Sequence, residues 1–168
     1  GDLQLGARYA FLVRPRDLIF GDLSVELPTG PWKQLDHEGD INDPGLQTGS
    51  GTYDFVAALQ YARSFAGSHD DPGELGPRSE IFVAGSARRN GESDLHYRIG
   101  DDSGLSAGWR GRWAGRATWS VQVNTRWIGR DDYKGEDVPS TGSTSVNLTP
   151  GVRFSAGDGG LAFSAHVQ

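Results

Sequence analysis

The decisive stretch is Leu105-Ser106-Ala107-Gly108-Trp109-Arg110-Gly111-Arg112-Trp113, then Ala114-Gly115-Arg116, then Ala117-Thr118-Trp119-Ser120-Val121-Gln122-Val123-Asn124-Thr125-Arg126-Trp127-Ile128. Leu105, Ala107, Trp109, Gly111 and Trp113 share one parity, and Ser106, Gly108, Arg110 and Arg112 the other. Beyond Gly115 the alternation resumes, with Trp119, Val121, Val123, Thr125 and Trp127 against Ser120, Gln122, Asn124 and Arg126. Successive side chains of a strand point to opposite faces, so the stretch predicts two long strands joined by a tight turn. Trp119 and Trp127 lie roughly 26 Å apart along such a strand, or about 20 Å vertically at a tilt near 40°. A transmembrane barrel requires an apolar outer band with an aromatic girdle at each edge, and this hairpin fits that geometry. A soluble sandwich or lipocalin-like barrel can carry the same alternation with its apolar face turned inward.

Outward from the hairpin the pattern repeats. Strands are expected at about Asp2–Val13, Leu18–Leu27, Tyr53–Ala62, Glu80–Arg88, Ser145–Phe154 and from Leu161 onward, which with the hairpin makes about eight. A short extension is expected at Leu95–Ile99, and the segments 28–51, 66–78 and 131–142 read as loops. The connections run short, long, medium, long, short, long, short. Outer-membrane barrels sort short turns to one end and longer loops to the other, and six of the seven connections fit, the exception being 66–78, an insertion on the short side. A sandwich has no reason to do so.

The bulk composition narrows the classes. A chain of 168 residues is one domain. With no cysteine it has neither a disulfide framework nor a thiolate metal site. Mean hydropathy of −0.50 and a 36% hydrophobic content exclude a helical membrane protein. They leave a barrel open, because only alternate strand residues meet lipid. The net charge of −6 argues against nucleic acid as a partner. The sequence holds no Met and no leader-like segment, so it reads as a processed or trimmed chain.

The polar parity carries the candidate site: Arg8, Asp22, Glu26, Asp54, Arg110, Arg112, Arg126 and Arg153, with Glu80. If it faces a lumen, the arginines form a positive ladder opposite the acids of the earlier strands, which biases the passage of charged solutes. The competing expectation is an ion-pair network that plugs a narrow barrel. Tyr53, Tyr61, Trp109, Trp113, Trp119 and Trp127 are the expected membrane girdle. The run Asp36, Glu38, Asp40, Asn42 and Asp43 is the most ligand-like and a weak Ca²⁺ candidate. It departs from the EF-hand order, so a solvated acidic loop is the expected reading. As a surface, such loops could be bridged by divalent ions to lipopolysaccharide. His37, His69, His96 and His166 are scattered without metal spacing. His96 lies near Asp94 and Asp101 in sequence, but nearness in sequence is not catalytic geometry. No nucleotide-binding or nucleophile motif occurs, and an enzyme is not expected.

Several segments carry a family resemblance. They are Leu27-Pro28-Thr29-Gly30, the run from Asp43 to Phe55, Tyr97-Arg98-Ile99-Gly100-Asp101-Asp102, the run from Gly135 to Gly142, and Val146 to Phe154. Together they resemble proteobacterial outer-membrane β-barrel transporters related to the phenol meta-pathway outer-membrane family. The resemblance implies an all-β, antiparallel up-and-down transmembrane barrel in a Gram-negative outer membrane. It brings no catalytic residues and identifies no solute.

The expectation is therefore one β-barrel domain over residues 1–168, complete or truncated at both ends and of porin-like type. It passes small solutes passively or by facilitation. Its partners are outer-membrane lipid and lipopolysaccharide, without a cofactor, and an oligomer or protein partner is left open. The alternatives are a structural or partner-scaffolding outer-membrane barrel, and a soluble lipocalin-like or sandwich binding module.

Overall fold

The computed structural model describes residues 1–42, 46–65, 79–113, 117–156 and 161–166, with the backbone alone at 113, 155–156 and 161–166. The long strands are β1 (Leu3–Val13), β2 (Asp17–Leu27), β3 (Asp54–Phe65), β4 (Ser79–Arg89), β6 (Asp102–Trp113), β7 (Ala117–Ile128) and β10 (Ser143–Ala156). Short ones are β5 (Tyr97–Arg98), β8 (Asp132–Tyr133), β9 (Glu136–Asp137) and β11 (Leu161–His166). The fold is all-β and antiparallel.

One eight-stranded sheet runs β1-β2-β3-β4-β6-β7-β10-β11, each strand paired with its chain neighbours as in an up-and-down meander. All the expected strands are present in the expected order. Among the described residues no pairing joins β11 to β1, so the sheet is open, with β1 and β11 at its edges. A bulge between Ala10 and Leu12 shifts the register of β1 against β2.

The register keeps the two parities apart across the whole sheet. One continuous row is Tyr9, Gly21, Leu59, Gly85, Leu105, Thr125 and Val146. The neighbouring row on the opposite face includes Arg8, Asp22, Ala58, Ser86, Gly104, Arg126 and Ser145. On the first face of the seven long strands the charged residues are Asp17 and Arg63 at one end and Arg89 at the other. Everything between them is uncharged.

That uncharged face is the exposed one. In β3, Phe55, Ala57, Leu59, Arg63 and Phe65 are exposed, while Asp54, Val56, Ala58, Gln60, Ala62 and Ser64 are half-buried or buried. The polar parity is thus the more covered, or inner, face of β3. Among the described residues the only buried hydrophobic one is Ala62. The chain of 18.1 kDa exposes 11917 Å², against about 8,000 Å² for a compact soluble protein of this mass. The described residues form no apolar core.

Small residues on this wall seat large rings. A Cβ on Gly111 would stand 2.8 Å from the Trp119 indole, one on Gly21 2.9 Å from the Phe11 ring, and one on Gly108 2.6 Å from the Phe82 ring. Each glycine lets a ring lie against bare backbone.

The connections 28–53, 90–101 and 129–142 gather at one end of the sheet. The segment 131–142, expected to be plain loop, folds into a hairpin of β8 and β9. Lys134 (φ 55°) and Gly135 (φ 85°) form its two-residue turn, and positive φ at both positions is the type I′ geometry that matches strand twist. β5 adds to this hairpin, giving a small sheet in the order β5-β8-β9. The extension expected at 95–99 is therefore real, but its partner is a loop hairpin. The expected loop 66–78 lies outside the described residues.

Candidate functional site

The inner face places its charges in cross-strand pairs. Arg8 and Asp22 are direct register partners, and Arg8 Nε donates to Asp22 Oδ1 at 2.6 Å. The Arg8 guanidinium also stacks 4.5 Å from the centroid of the Phe20 ring. Arg110 and Glu80 likewise face one another, with Nη2 2.7 Å from Oε1. Arg126 reaches diagonally to Asp102, its Nε donating to Oδ2 at 2.8 Å. Arg88 on β4 meets Glu26 on β2 at 3.0 Å, spanning the intervening β3. Opposite-charge cross-strand neighbours of this kind stabilise a sheet.

Of the expected lining residues, Arg8, Asp22, Glu26, Arg110 and Arg126 stand in these pairs. Arg112 and Arg153 are exposed on one row, with Thr118 between them. Among the described residues no carboxylate pairs with Arg153. Asp54 has the expected parity but is 2% exposed. Its Oδ1 accepts the Thr52 hydroxyl at 2.7 Å and the Gly91 N–H at 3.0 Å, so it ties the loop end together and lines nothing. Arg88 and Asp102 belong to the site, although the sequence reading did not select them. Strand parity was the available signal, since both fall on the polar face. Between the charged levels the face is neutral: Ser106 donates to Asn124 at 2.8 Å, and Gln122 bonds the same amide oxygen.

A groove of about 840 Å³ crosses the loop-side halves of β1 to β4 and the start of β6. Leu5, Leu23, Val25 and Phe55 line it from the apolar parity, and Ser24, Arg88 and Asp102 from the polar one.

The apolar face carries the tryptophans of the hairpin and the strand tyrosines. Trp109 and Trp119 meet edge to face, with centroids 4.9 Å apart. Tyr53 and Trp127 are exposed. Tyr61 is half-buried and donates its hydroxyl to Asp17 Oδ1 at 2.7 Å, beside the Arg63–Asp17 contact at 3.7 Å. Trp113 takes its place in β6, but its side chain lies outside the described residues.

Acids at the loop end act as hydrogen-bond acceptors for neighbouring loops. Asp2 accepts the N–H groups of Gly30 (2.7 Å) and Ser50 (2.7 Å) and the Ser50 hydroxyl (2.9 Å). Burial pushes its carboxyl upward, but these donors outweigh it and hold the group below its ordinary value of 3.8. Asp101 accepts from the Asn90 N–H at 2.9 Å, and Asp131 from the Gly100 N–H at 2.8 Å and from the Tyr97 hydroxyl. Trp32 lies over Gly51, a position with φ 69°, and Lys33 bridges to Asp94 at 2.9 Å.

In the weak Ca²⁺ candidate, Asp36 Oδ1 accepts the N–H groups of Glu38 (2.8 Å) and Asp40 (3.0 Å), closing a tight turn below the Leu35–Ile41 bridge. Asn42 uses its backbone on Gln34 and Gln47, and Asp43 lies outside the described residues. Among the described residues no three metal-ligating side chains gather. His96 meets Glu92 at 3.0 Å, while its sequence neighbours Asp94 and Asp101 are held by Lys33 and Asn90. His37 is exposed on the acidic loop; His69 and the side chain of His166 lie outside the described residues.

In comparisons with known proteins, no family model and no curated protein matches this chain.

Proposed function

We propose that this chain is the wall of an outer-membrane β-barrel that passes small solutes, with the polar parity facing the lumen and the apolar parity facing lipid. The single observation that carries the reading is the sheet's outer face, which is exposed and uncharged between Asp17 and Arg63 at one end and Arg89 at the other. From Arg63 to Phe55, the register partner of Arg89, is eight residues, or about 26 Å along the strand. At barrel tilt this approaches the height of the hydrocarbon band.

Strand length supports the same reading. The seven long strands have 11–14 residues, where a tilted transmembrane strand needs about 9–11 and a globular strand averages about 5–6. The wall also lacks a core that could sustain it in water. The loop motifs that resemble outer-membrane transporters point the same way.

The test is extraction and sizing with and without detergent, followed by tryptophan quenching with lipids brominated along the acyl chain. The reading expects a chain that requires detergent, with Trp109, Trp119 and Trp127 quenched. A monodisperse chain in plain buffer with unquenched tryptophans would overturn it.

A further inference from the structure

Each directly facing or diagonal ion pair of the inner face is layered in the same order. Arg8 is 67% exposed and its partner Asp22 35%; Arg110 is 63% exposed and Glu80 14%; Arg126 is 60% exposed and Asp102 22%. The carboxylates sit against the sheet, and the guanidiniums stand in front of them. A pair that is neutral in sum thus presents mainly its positive end to whatever passes. A guanidinium has five N–H donors and no acceptor, and one carboxylate engages only part of that fork. The free edges offer donors to an anion and nothing to a cation.

Arg153 adds a positive charge that no described carboxylate offsets. It shares a row with Arg112, and Thr118 lies between them. Two strand spacings separate the two backbones, about 10 Å. Arg110 lies one inner-face position along β6 from Arg112, so three arginines gather toward the turn end of β6, β7 and β10. The acids of the loop end lie beyond this region, and those in open water are screened within about 8 Å at physiological salt.

We propose that the inner face selects small anions, carboxylates among them, over cations. This rests on the reading of that face as a lumen. The passing anion takes the uncommitted guanidinium edges in turn, while the carboxylates behind keep each arginine from binding it too tightly to release.

The test uses the full chain reconstituted in planar bilayers, with the reversal potential read across a potassium chloride gradient and again after acetate replaces chloride. A potential of the anion-selective sign in both salts is the expected result. The double variant Arg110→Glu with Arg153→Glu should turn the sign to cation preference. Arg153→Gln breaks no described ion pair, so it serves if the double variant fails to fold; it should lower the anion-to-cation permeability ratio about twofold or more. A zero or cation-selective potential in the native chain overturns the proposal and leaves the pore standing. A ratio unmoved by Arg153→Gln also overturns it. Bilayers that take up the protein and carry no current overturn the passage reading itself, and the selectivity with it.

Discussion

The strand wall and the loop end of this molecule are stabilised in opposite ways. In the wall, backbone ladders and cross-strand pairs hold the sheet, and large side chains such as Tyr9, Phe55, Leu59 and Val146 stand exposed. At the loop end, Thr52, Asp54, Asn90 and Ser93 are buried, and the carboxylates of Asp54 and Asp101 accept from neighbouring N–H and O–H groups. Asn90 gives its side-chain amide to the Gly100 carbonyl at 2.7 Å, and Trp32 covers Gly51. The loop end satisfies itself and can stand in water. The wall depends on what surrounds it. The proposed barrel accounts for this division: hydrogen bonds serve the end that would meet solvent, and lipid would supply apolar contact along the rest.

The sharpest way to break the comparison is to put a charge in the middle of the outer face. Val123→Arg should cost about 2–4 kcal/mol in lipid vesicles if this face meets the bilayer midplane. In a water-exposed sheet, the same surface change would stay within about 0.5 kcal/mol. Denaturant unfolding in vesicles separates the two, and a loss of the smaller size would place the outer face in water.

A change of intermediate size is expected at the loop end. Asp54→Ala leaves the buried Thr52 hydroxyl and the half-buried Gly91 N–H without their acceptor, at a cost of about 1–3 kcal/mol. Asp54→Asn keeps an acceptor and should cost less. Hydrogen exchange at Gly91 should accelerate in the alanine variant while amides of β7 keep their protection. Equal acceleration in both regions would show that loop end and wall unfold as one unit.

The smallest effect is a dependence on acid. The Asp2 carboxyl is held below its ordinary value in the folded chain, so its contribution is fully present above the unfolded value of 3.8. It is lost as pH falls through the lower folded value. The amides of Gly30 and Ser50 should then lose exchange protection while the β2–β3 ladder does not. Protection that is independent of pH in that acid range would remove Asp2 as an anchor.

Local patterning made the wall legible in the sequence. Two-residue alternation assigned the polar parity of β2, β3, β4, β6, β7 and β10, because the direction of a strand side chain depends on its own backbone. It failed at the end of β1, where the bulge puts Leu12 on the row of Ile19 and Val13 on that of Leu18. Arg8 and Asp22, or Glu80 and Arg110, needed only correct register to meet. The loop end was not legible in this way. Asp54 belonged to the right face, but its burial comes from Thr52 and from Gly91, which lies 37 residues away. The β8–β9 hairpin turns on Lys134-Gly135, a weaker signal than Asn-Gly, and β5 joins it through the distant pairs Tyr97–Tyr133 and Arg98–Asp132. The layering of acids behind arginines was invisible for the same reason: parity says which face a side chain takes and nothing about its depth.

The rings seated on glycines have a consequence for inheritance. Trp119 on Gly111, Phe11 on Gly21 and Phe82 on Gly108 each bring a bulky residue and a bare backbone position from different points of the chain into one fitted unit. Neither member can drift alone. A side chain at the glycine collides with the ring, and loss of the ring uncovers the peptide beneath it. Across descendants of this chain these positions should therefore change as couples, and a lineage that enlarges one glycine must first surrender its aromatic partner.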